Sequence, residues 1–374
     1  MEAARPAARP AARRIAFVFT SMPVGGAEDF ALGVGPHLAP DFEAHYVCLR
    51  EPGRLGEQAR AEGRPVHLVP VFSSCWITPW AVRRFAAWLR RESIAAVHSQ
   101  THHAHVFATK AAKLACIPSV VHQQKTLGEL SPRRRRIFRA CVNRASHVVA
   151  LSAHTARDLG ETLAVPAEKI SVVANGIERS IFCPPADRAA LRRQLGLPDG
   201  VLLAASVGRL HHHKSHETTI EAVALARRQG VAVTAVLVGE GARRADLEGL
   251  ARARGVDDAV IFTGAQRPVL PWLQVPDVFV LSSVWEGQPL ALLQAAACGV
   301  PVLASNIEGN TAVLGRDHPG LFAQGDAAWL AKLFVASRDP GFLRQLHESQ
   351  RRVDIPWSDR SARQLADIYR TLLP

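Results

Sequence analysis

Short apolar runs alternate with amphipathic segments along almost the whole chain. Continuous apolar runs bounded by turn residues are typical of strands buried on both faces of a parallel sheet. Between them, segments such as TPWAVRRFAAWLRRE (78–92) have the apolar spacing of helices. This alternation of strands and helices predicts an α/β protein with parallel sheets.

The alternation occurs in two blocks. The predicted strands are 14–20, 44–50, 66–70, 94–100, 119–124 and 146–152, and then 201–208, 233–239, 260–264, 278–283 and 300–305. A stretch rich in proline and charge separates the blocks. We predict a disordered tail at 1–13, a doubly wound domain at 14–178, a linker at 179–200, a second such domain at 201–355, and a C-terminal helix at 356–374 that could cross back to the first domain. Two open sheets of this kind imply a ligand in a cleft between them, beyond the carboxyl ends of their strands.

Composition narrows the class of protein. No apolar run among the 374 residues approaches the roughly 20 needed to cross a bilayer, and the N-terminus has no apolar signal region. The six cysteines are scattered without paired spacing, which favours reduced thiols in a cytoplasm. No Asp-x-Asp pair occurs, so the usual carboxylate seat for Mg²⁺ beside a diphosphate is missing.

The excess positive charge belongs to the first half of the chain. Residues 1–180 contain 24 basic and 14 acidic side chains, a net of +10, whereas 181–374 contain 21 and 19, a net of +2. A basic domain suggests an anionic partner. Because no basic-aromatic stacking pattern appears, we do not expect nucleic acid, and an anionic lipid surface or a phosphorylated substrate remains.

Loops that follow strands carry the candidate chemistry. Gly25 and Gly26 follow the first strand and allow close approach to a ligand, although a tight turn explains paired glycines equally well. Arg209 and Lys214 follow the first strand of the second domain and could neutralise a diphosphate, although a solvated basic loop is the more common meaning of such residues. Among the histidines around them, His211, His212 and His213 are consecutive and cannot point at one metal ion without a contorted backbone.

Two further corners resemble that arrangement. Gly239 and Glu240 follow the next strand, where they could let the backbone come near a ligand. A plain strand-to-helix turn explains them equally well. At 282–306 the sequence SSVWEGQPLALLQAAACGVPVLASN places Glu286 in a loop and Pro289 in the first turn of a helix. The N–H groups of Leu290 and Ala291 could then receive a phosphate, and Glu286 would suit neutral sugar hydroxyls.

Histidines mark the strand ends of the first domain. His122 follows an apolar run and should face the cleft, where it could donate to a phosphate or hydroxyl or transfer a proton. A hydrogen-bonded histidine that only shapes the sheet edge is an equal possibility. Four other histidines compete for such a role: His98, His102, His103 and His105.

Five motifs in order resemble the retaining glycosyltransferases of family four. They are GGAE (25–28), NGIE (175–178), VGRLHHHKSHETTIEA (207–222), LVGEG (237–241) and WEGQPLALLQAAACGVPVLAS (285–305), and the resemblance extends over nearly all of 14–374. It implies the GT-B fold of two facing Rossmann-like domains with a cleft between them. It also implies transfer of a hexose-type sugar from a nucleoside diphosphate sugar, without a metal or other cofactor, to a glycan or lipid-linked acceptor in cell-surface polysaccharide or lipopolysaccharide synthesis.

Site roles carry over from this resemblance residue by residue. Arg209 and Lys214 match the pair that binds the donor diphosphate, Glu286 matches the glutamate that contacts the transferred sugar, and His122 resembles the first-domain histidine facing that sugar. The expected donor-binding set is Gly26, Gly239, Glu240, Gly287, Gln288, Pro289, Leu290, Ala291 and Gln294.

Gln294 departs from the family, which usually has a second glutamate there for the ribose hydroxyls. An amide loses a charge-assisted hydrogen bond, worth on the order of 1 kcal/mol or more, so we expect weaker nucleotide affinity. The same departure motivates an alternative, a non-catalytic relative that binds a nucleotide sugar.

The segment 131–144, SPRRRRIFRACVNR, concerns the surroundings of the acceptor. Its arginines and the apolar Ile137, Phe138, Cys141 and Val142 could form a basic amphipathic helix lying on anionic lipid. An ordinary domain helix with a solvated arginine face is at least as good an interpretation. Relatives often bind membranes through this domain, so we expect a cytoplasmic protein held peripherally on the inner face of the membrane.

Overall fold

The computed structural model describes residues 11–23, 25–71, 78–123 and 131–374. The chain divides into two compact units. The first unit comprises Met1–Gly176 and Pro356–Pro374, and the second comprises Ile177–Ile355. The segment predicted as a linker, 179–200, therefore lies within the second unit.

The first unit is a parallel sheet covered by helices on both faces. Its elements in chain order are β1 (Arg13–Phe19), α1 (Gly26–Val34), β2 (Phe42–Cys48), α2 (Gly53–Ala61), β3 (Val66–Leu68), α3 (Pro79–Arg91), β4 (Ile94–Ser99), α4 (His102–Ala115), β5 (Ser119–Gln123), α5 (Pro132–Arg144), β6 (His147–Ala150), α6 (Ala153–Leu163) and β7 (Ile170–Val172). The strands are ordered β3-β2-β1-β4-β5-β6-β7. Ile15 and Phe17 of β1 face one core and Ala16 and Val18 the other, which explains the continuous apolar run.

The second unit repeats this design. Its elements are α7 (Arg188–Gln194), β8 (Leu202–Val207), α8 (His216–Arg228), β9 (Val233–Val238), α9 (Arg244–Ala253), β10 (Val260–Gly264), α10 (Leu270–Gln274), β11 (Val278–Leu281), α11 (Leu290–Ala297), β12 (Val302–Ser305), α12 (Glu308–Leu314), β13 (Leu321–Phe322), α13 (Ala327–Ala336) and α14 (Pro340–Gln350). The order β10-β9-β8-β11-β12-β13 reverses direction beside β8. The loops after β8 and β11 meet there, which is where such sheets bind ligands.

The last helix, α15 (Ser358–Leu372), belongs to the first unit. Ala362, Leu365 and Tyr369 pack into the core that also contains Ile15 and Phe17. Tyr369 is completely buried. This helix thus covers one face of the first sheet.

All the predicted strands form, with ends that lie within two residues of those expected. Two of the strands in the described ranges were not predicted, β7 and β13. They contain three and two residues, too few for an apolar pattern to stand out from the surrounding loops. Each adds one parallel edge strand by pairing with its neighbour, β7 with β6 and β13 with β12.

The apolar side of α5 differs from the expected lipid-facing surface. Phe138, Cys141 and Val142 are buried in the core of the first unit, and only Ile137 of the expected apolar set is exposed, at 40%. The ordinary domain helix with a solvated arginine face is therefore the interpretation that fits the apolar positions. Among the described residues, no helix is long and apolar enough to span a bilayer.

Candidate functional site

Lys214 and Glu286 form an ion pair in the second unit although 72 residues separate them in the chain. The Lys214 Nζ lies 2.5 Å from Glu286 Oε1, and the two side chains are only 15% and 9% exposed. Lys214 lies in the loop after β8 and Glu286 lies in the loop after β11. Because β8 and β11 are neighbouring parallel strands, the topology of the sheet brings the two charges together.

Hydrogen bonds hold these two loops against each other. The Ser282 hydroxyl contacts the carbonyl oxygens of Lys214 and Ser215 at 3.0 and 2.8 Å. The Val284 N–H donates to the His213 carbonyl at 2.8 Å. The position of Lys214 is therefore determined mainly by backbone contacts, and its ammonium remains able to donate further hydrogen bonds.

Positive charge is concentrated beside the pair. Arg209 lies just beyond the end of β8 and is exposed. The pKa of His213 is lowered to about 4, first by burial and then by nearby charges that include Lys214 and Arg209. An anion placed at this edge of the sheet would meet two cations on one loop.

The histidines of this loop have structural roles. His216 is buried, and its Nε2 donates to the Arg209 carbonyl at 3.3 Å, because a carbonyl can only accept. Burial lowers the pKa of His216 to about 4, so the ring stays neutral at neutral pH. The Nδ1 atoms of His211 and His213 lie 2.8 Å apart. Within the described ranges, no group of three or more His, Cys, Asp or Glu residues could hold a metal ion.

Gly239 is required by contacts within the protein. Its φ is +152°, and a Cβ there would lie 1.9 Å from the carbonyl oxygen of Gly208. Glu240 is half exposed and pairs with Arg244, whose Nη1 lies 2.8 Å from its Oε1. The structure thus explains this glycine through loop packing, which is the turn interpretation that the sequence left open.

The helix after Glu286 begins differently from the prediction. Pro289 precedes α11 as its N-cap residue, with φ −80° and ψ 78°, and the Leu290 N–H donates to the Gln288 carbonyl at 3.0 Å. This is an inverse γ-turn. The Leu290 N–H is therefore engaged in this structure, and of the two predicted phosphate donors, Leu290 and Ala291, only Ala291 has no such turn bond. Gln294 is half-buried on the second turn of α11.

His122 is the penultimate residue of β5, close to the strand end where it was predicted, and it is completely buried. Its ring packs edge-on against Phe30 with centroids 4.9 Å apart, and against His98 at 5.4 Å. Among the described residues, neither ring nitrogen of His122 has a hydrogen-bond partner. Burial lowers the pKa of His122 to about 3. The competing His98 is also buried, with its Nδ1 2.5 Å from the Tyr369 hydroxyl.

The paired glycines of the first unit adjoin a buried carboxyl group. Gly26 is the first residue of α1, and Glu28 is 5% exposed. A Cβ at Gly25 would lie 2.5 Å from Glu28 Oε2, so the side chain of Glu28 occupies the space that this glycine leaves open. Burial raises the pKa of Glu28 to about 7. No role was predicted for Glu28.

The sequence also missed four residues around Glu286: Ser283, Ser305, Gly309 and Asn310. The Ser283 hydroxyl donates to Glu286 Oε1 at 2.6 Å. One signal could have identified the two serines, since each stands at the end of an apolar strand in a sheet whose strand ends gather at one edge. Nothing in the local sequence indicates that the first turn of α12 contacts Glu286.

Family comparison agrees with this arrangement. Residues 24–180 match the family described as Glycosyltransferase Family 4, and residues 187–350 match Glycosyl transferases group 1. Together these matches extend over most of the chain. The chain therefore belongs to the group 1, family 4 glycosyltransferases, and its two parallel α/β units are those of the GT-B fold.

Individual relatives support the same assignment. The chain is 28% identical over 250 residues to the UDP-Gal:alpha-D-GlcNAc-diphosphoundecaprenol alpha-1,3-galactosyltransferase of Escherichia coli, which covers 63% of this chain. It is 31% identical over 271 residues to a D-inositol 3-phosphate glycosyltransferase of Jonesia denitrificans, and this match covers 67% of this chain. In both cases the match spans 64% of the relative's own length.

A solved structure has the same fold. Anabaena Alr3699/HepE in complex with UDP superposes with a TM-score of 0.84 and 22% identity, covering 96% of this chain and all of that one. The same protein has been crystallised with UDP-glucose, and that complex has a TM-score of 0.82.

Proposed function

We propose that this protein transfers a hexose-type sugar from a nucleoside diphosphate sugar to a hydroxyl group, with retention at the anomeric carbon and without a metal ion. The observation that carries the proposal is the Lys214 and Glu286 pair, 2.5 Å apart at the strand ends where β8 and β11 adjoin. A cation suits a departing diphosphate, and a carboxylate suits sugar hydroxyls. A donor whose sugar is attached directly to a diphosphate needs both groups side by side.

Each group then has one task. Arg209 and Lys214 stabilise the negative charge that develops on the leaving diphosphate, with help from the N-terminus of α11 near Ala291. Glu286 accepts hydrogen bonds from hydroxyls of the transferred sugar, and Gln294 accepts one from the ribose. The departing phosphate deprotonates the acceptor on the same face of the sugar, so the anomeric configuration is kept.

His122 keeps in this proposal the role of a donor to a sugar hydroxyl. Its buried ring, with two unpartnered nitrogens among the described residues, could donate to a hydroxyl only after it is uncovered from Phe30. A neutral imidazole is the form expected there, because burial lowers its pKa to about 3.

We place the acceptor among glycans or lipid-linked sugars used for cell-surface polysaccharide or lipopolysaccharide. The E. coli relative acts, by its name, on a diphosphoundecaprenol-linked sugar, which supports this class of acceptor. Synthesis at such a lipid would place the protein in the cytoplasm, at the inner face of the membrane.

Gln294 favours a second candidate, a relative that binds a nucleotide sugar without turning it over. The neutral amide would accept one ribose hydrogen bond without the charge assistance of a carboxylate. This candidate keeps the binding role of Arg209 and Lys214 and removes the chemistry.

A panel of UDP, ADP and GDP sugars tests the proposed function. We expect one donor to raise the melting temperature and to release free sugar slowly, with EDTA leaving the rate unchanged, because ligand bound to the folded state stabilises it. Gln294→Glu should tighten binding of that nucleotide by about tenfold, since one charge-assisted bond is worth roughly 1.4 kcal/mol. Binding without release of sugar would instead support the non-catalytic candidate.

We also propose that the helical face containing α3, α4 and α5 binds anionic lipid. The helix α4 packs against both α3 and α5. Exposed arginines lie on α3 (Arg83, Arg84, Arg90, Arg91) and on α5 (Arg133, Arg134, Arg136, Arg139, Arg144). Trp80, at the start of α3, is 65% exposed. With the apolar side of α5 buried, this attraction would be mainly electrostatic.

Vesicle binding measures this attraction. Changing Arg133, Arg136 and Arg139 to Gln should weaken binding to phosphatidylglycerol vesicles on the order of 10²-fold, because each arginine contributes about 1 kcal/mol near an anionic surface. A matched control changes Arg316, Arg344 and Arg352 of the second unit, which are also exposed. Equal binding by the two triple variants would exclude this face as the lipid contact.

A further inference from the structure

A chain of hydrogen bonds leads from the first turn of α12 to Glu286. The Asn310 amide donates to the Ser305 carbonyl and hydroxyl oxygens at 2.9 and 3.2 Å. The Ser305 hydroxyl donates to the Ser283 carbonyl at 2.5 Å, and the Ser283 hydroxyl donates to Glu286 at 2.6 Å. Ser283, Ser305 and Asn310 are all completely buried.

This chain determines which oxygen of Glu286 is available. Ser283 and Lys214 both donate to Oε1, and among the described residues no donor contacts Oε2. A carboxylate held through one oxygen by two donors keeps a defined orientation, and the second oxygen retains its acceptor capacity. Oε2 is therefore the atom with which Glu286 can bind a ligand hydroxyl.

The backbone of Glu286 is held from a second direction. A Cβ placed on Gly309 would lie 2.3 Å from the Glu286 carbonyl oxygen and 3.0 Å from its Cβ. Gly309 is inside α12, where alanine would otherwise favour the helix. The absence of a side chain at this position lets the first turn of α12 lie directly against Glu286.

We propose that Ser283, Ser305, Gly309 and Asn310 are positioning residues that aim Glu286 Oε2 at a hydroxyl of the donor sugar. The inference rests on the proposed function, because it assigns Glu286 to the sugar. It adds that recognition of the sugar depends on the first turn of α12, whereas recognition of the nucleoside diphosphate does not. Binding of the sugar and binding of the nucleotide should therefore be separable by mutation.

Two variants with matched controls test this separation. Gly309→Ala is compared with Gly249→Ala, a helical position in α9 where the nearest atom to an added Cβ is a flexible arginine terminus 4.0 Å away. Ser283→Ala is compared with Ser337→Ala, a buried serine whose hydroxyl donates to the Leu333 carbonyl at 2.7 Å. The probes are UDP and UDP-glucose, or the ADP or GDP pair if the panel selects that base.

We expect Gly309→Ala and Ser283→Ala to lower the rate of donor hydrolysis by about tenfold to a hundredfold, since small displacements of a positioned group cost this much. The dissociation constant for the nucleoside diphosphate should change less than about twofold, because Glu286 acts on the sugar. Both controls should keep wild-type rates.

Other outcomes overturn the inference in distinguishable ways. Variants that turn over the donor as fast as their controls exclude a positioning role while the proposed function stands. Equal loss of nucleotide binding and hydrolysis in Ser283→Ala and Gly309→Ala means that these residues only maintain the fold of the site. A wild type that hydrolyses no donor overturns the proposed function and this inference together.

Discussion

Lys214→Ala should slow donor hydrolysis by about 10² to 10³-fold, because removing one preorganised donor to a developing negative charge has this effect. Arg209→Ala should also slow hydrolysis by orders of magnitude, through loss of the second cation beside the leaving diphosphate. The exposed Lys332→Ala of the same unit serves as the control for loss of a lysine. Near-normal rates in both Arg209→Ala and Lys214→Ala would remove these residues from the mechanism.

Lys214→Ala should also destabilise the protein, because the Lys214 side chain contributes to stability as well as to the proposed hydrolysis. The variant leaves the Glu286 carboxylate, only 9% exposed, without its cation, and breaking a buried pair in this way costs about 3 kcal/mol. The double variant Lys214→Met, Glu286→Gln should regain much of this free energy of unfolding, because it removes both charges. It should not regain activity. Recovery of hydrolysis in the double variant would mean that the pair acts only in stability.

Acid should destabilise the first unit below about pH 6.5, because three of its buried histidines are held neutral. Burial is the main cause that lowers the pKa of His98, His105 and His122, and for His122 the value is about 3. As the pH falls below the unfolded pKa, the unfolded chain takes up protons that the folded chain does not. The free energy of unfolding then falls by about 1.4 kcal/mol per pH unit for each such histidine. The stabilisation from each neutral histidine is fully present only above about pH 6.5.

Urea unfolding at about pH 7 and about pH 5 measures this dependence, since the midpoint reports the free energy of unfolding. His122→Phe should show a smaller loss between the two conditions than the wild type, because one titrating group is gone. His103→Phe changes an exposed histidine and should behave as the wild type does. An unchanged loss in His122→Phe would show that other groups carry the acid sensitivity.

The pattern of apolar runs was sufficient to predict most of the fold. Strands buried on both faces give continuous apolar runs, as in β1, where alternate side chains enter opposite cores. The short strands β7 and β13 were not predicted, because three or two residues are too few to show an apolar pattern. The partner of α15 was open from the sequence, since an amphipathic helix specifies an apolar face but not the surface that covers it.

The candidate site could be predicted only in part from the sequence. Arg209, Lys214 and Glu286 stood out because they follow strand ends and match family motifs. The structure adds that Lys214 and Glu286 pair directly, that the Leu290 N–H is engaged by Gln288, and that His122 is enclosed. Each of these depends on a rotamer or a backbone torsion, which strand and helix periodicity does not specify.

By itself, the sequence determined the class of fold, the strand ends at which chemistry is possible, and the charged residues available there, because these follow from periodicity and residue type. Only the tertiary structure decided which of those residues meet. The contact of Gly309 with Glu286, and the chain from Asn310 through two serines to the same carboxylate, join strands and a helix across the edge of a sheet. Such contacts depend on which strands are neighbours in the sheet. The local sequence of each strand does not specify its neighbours.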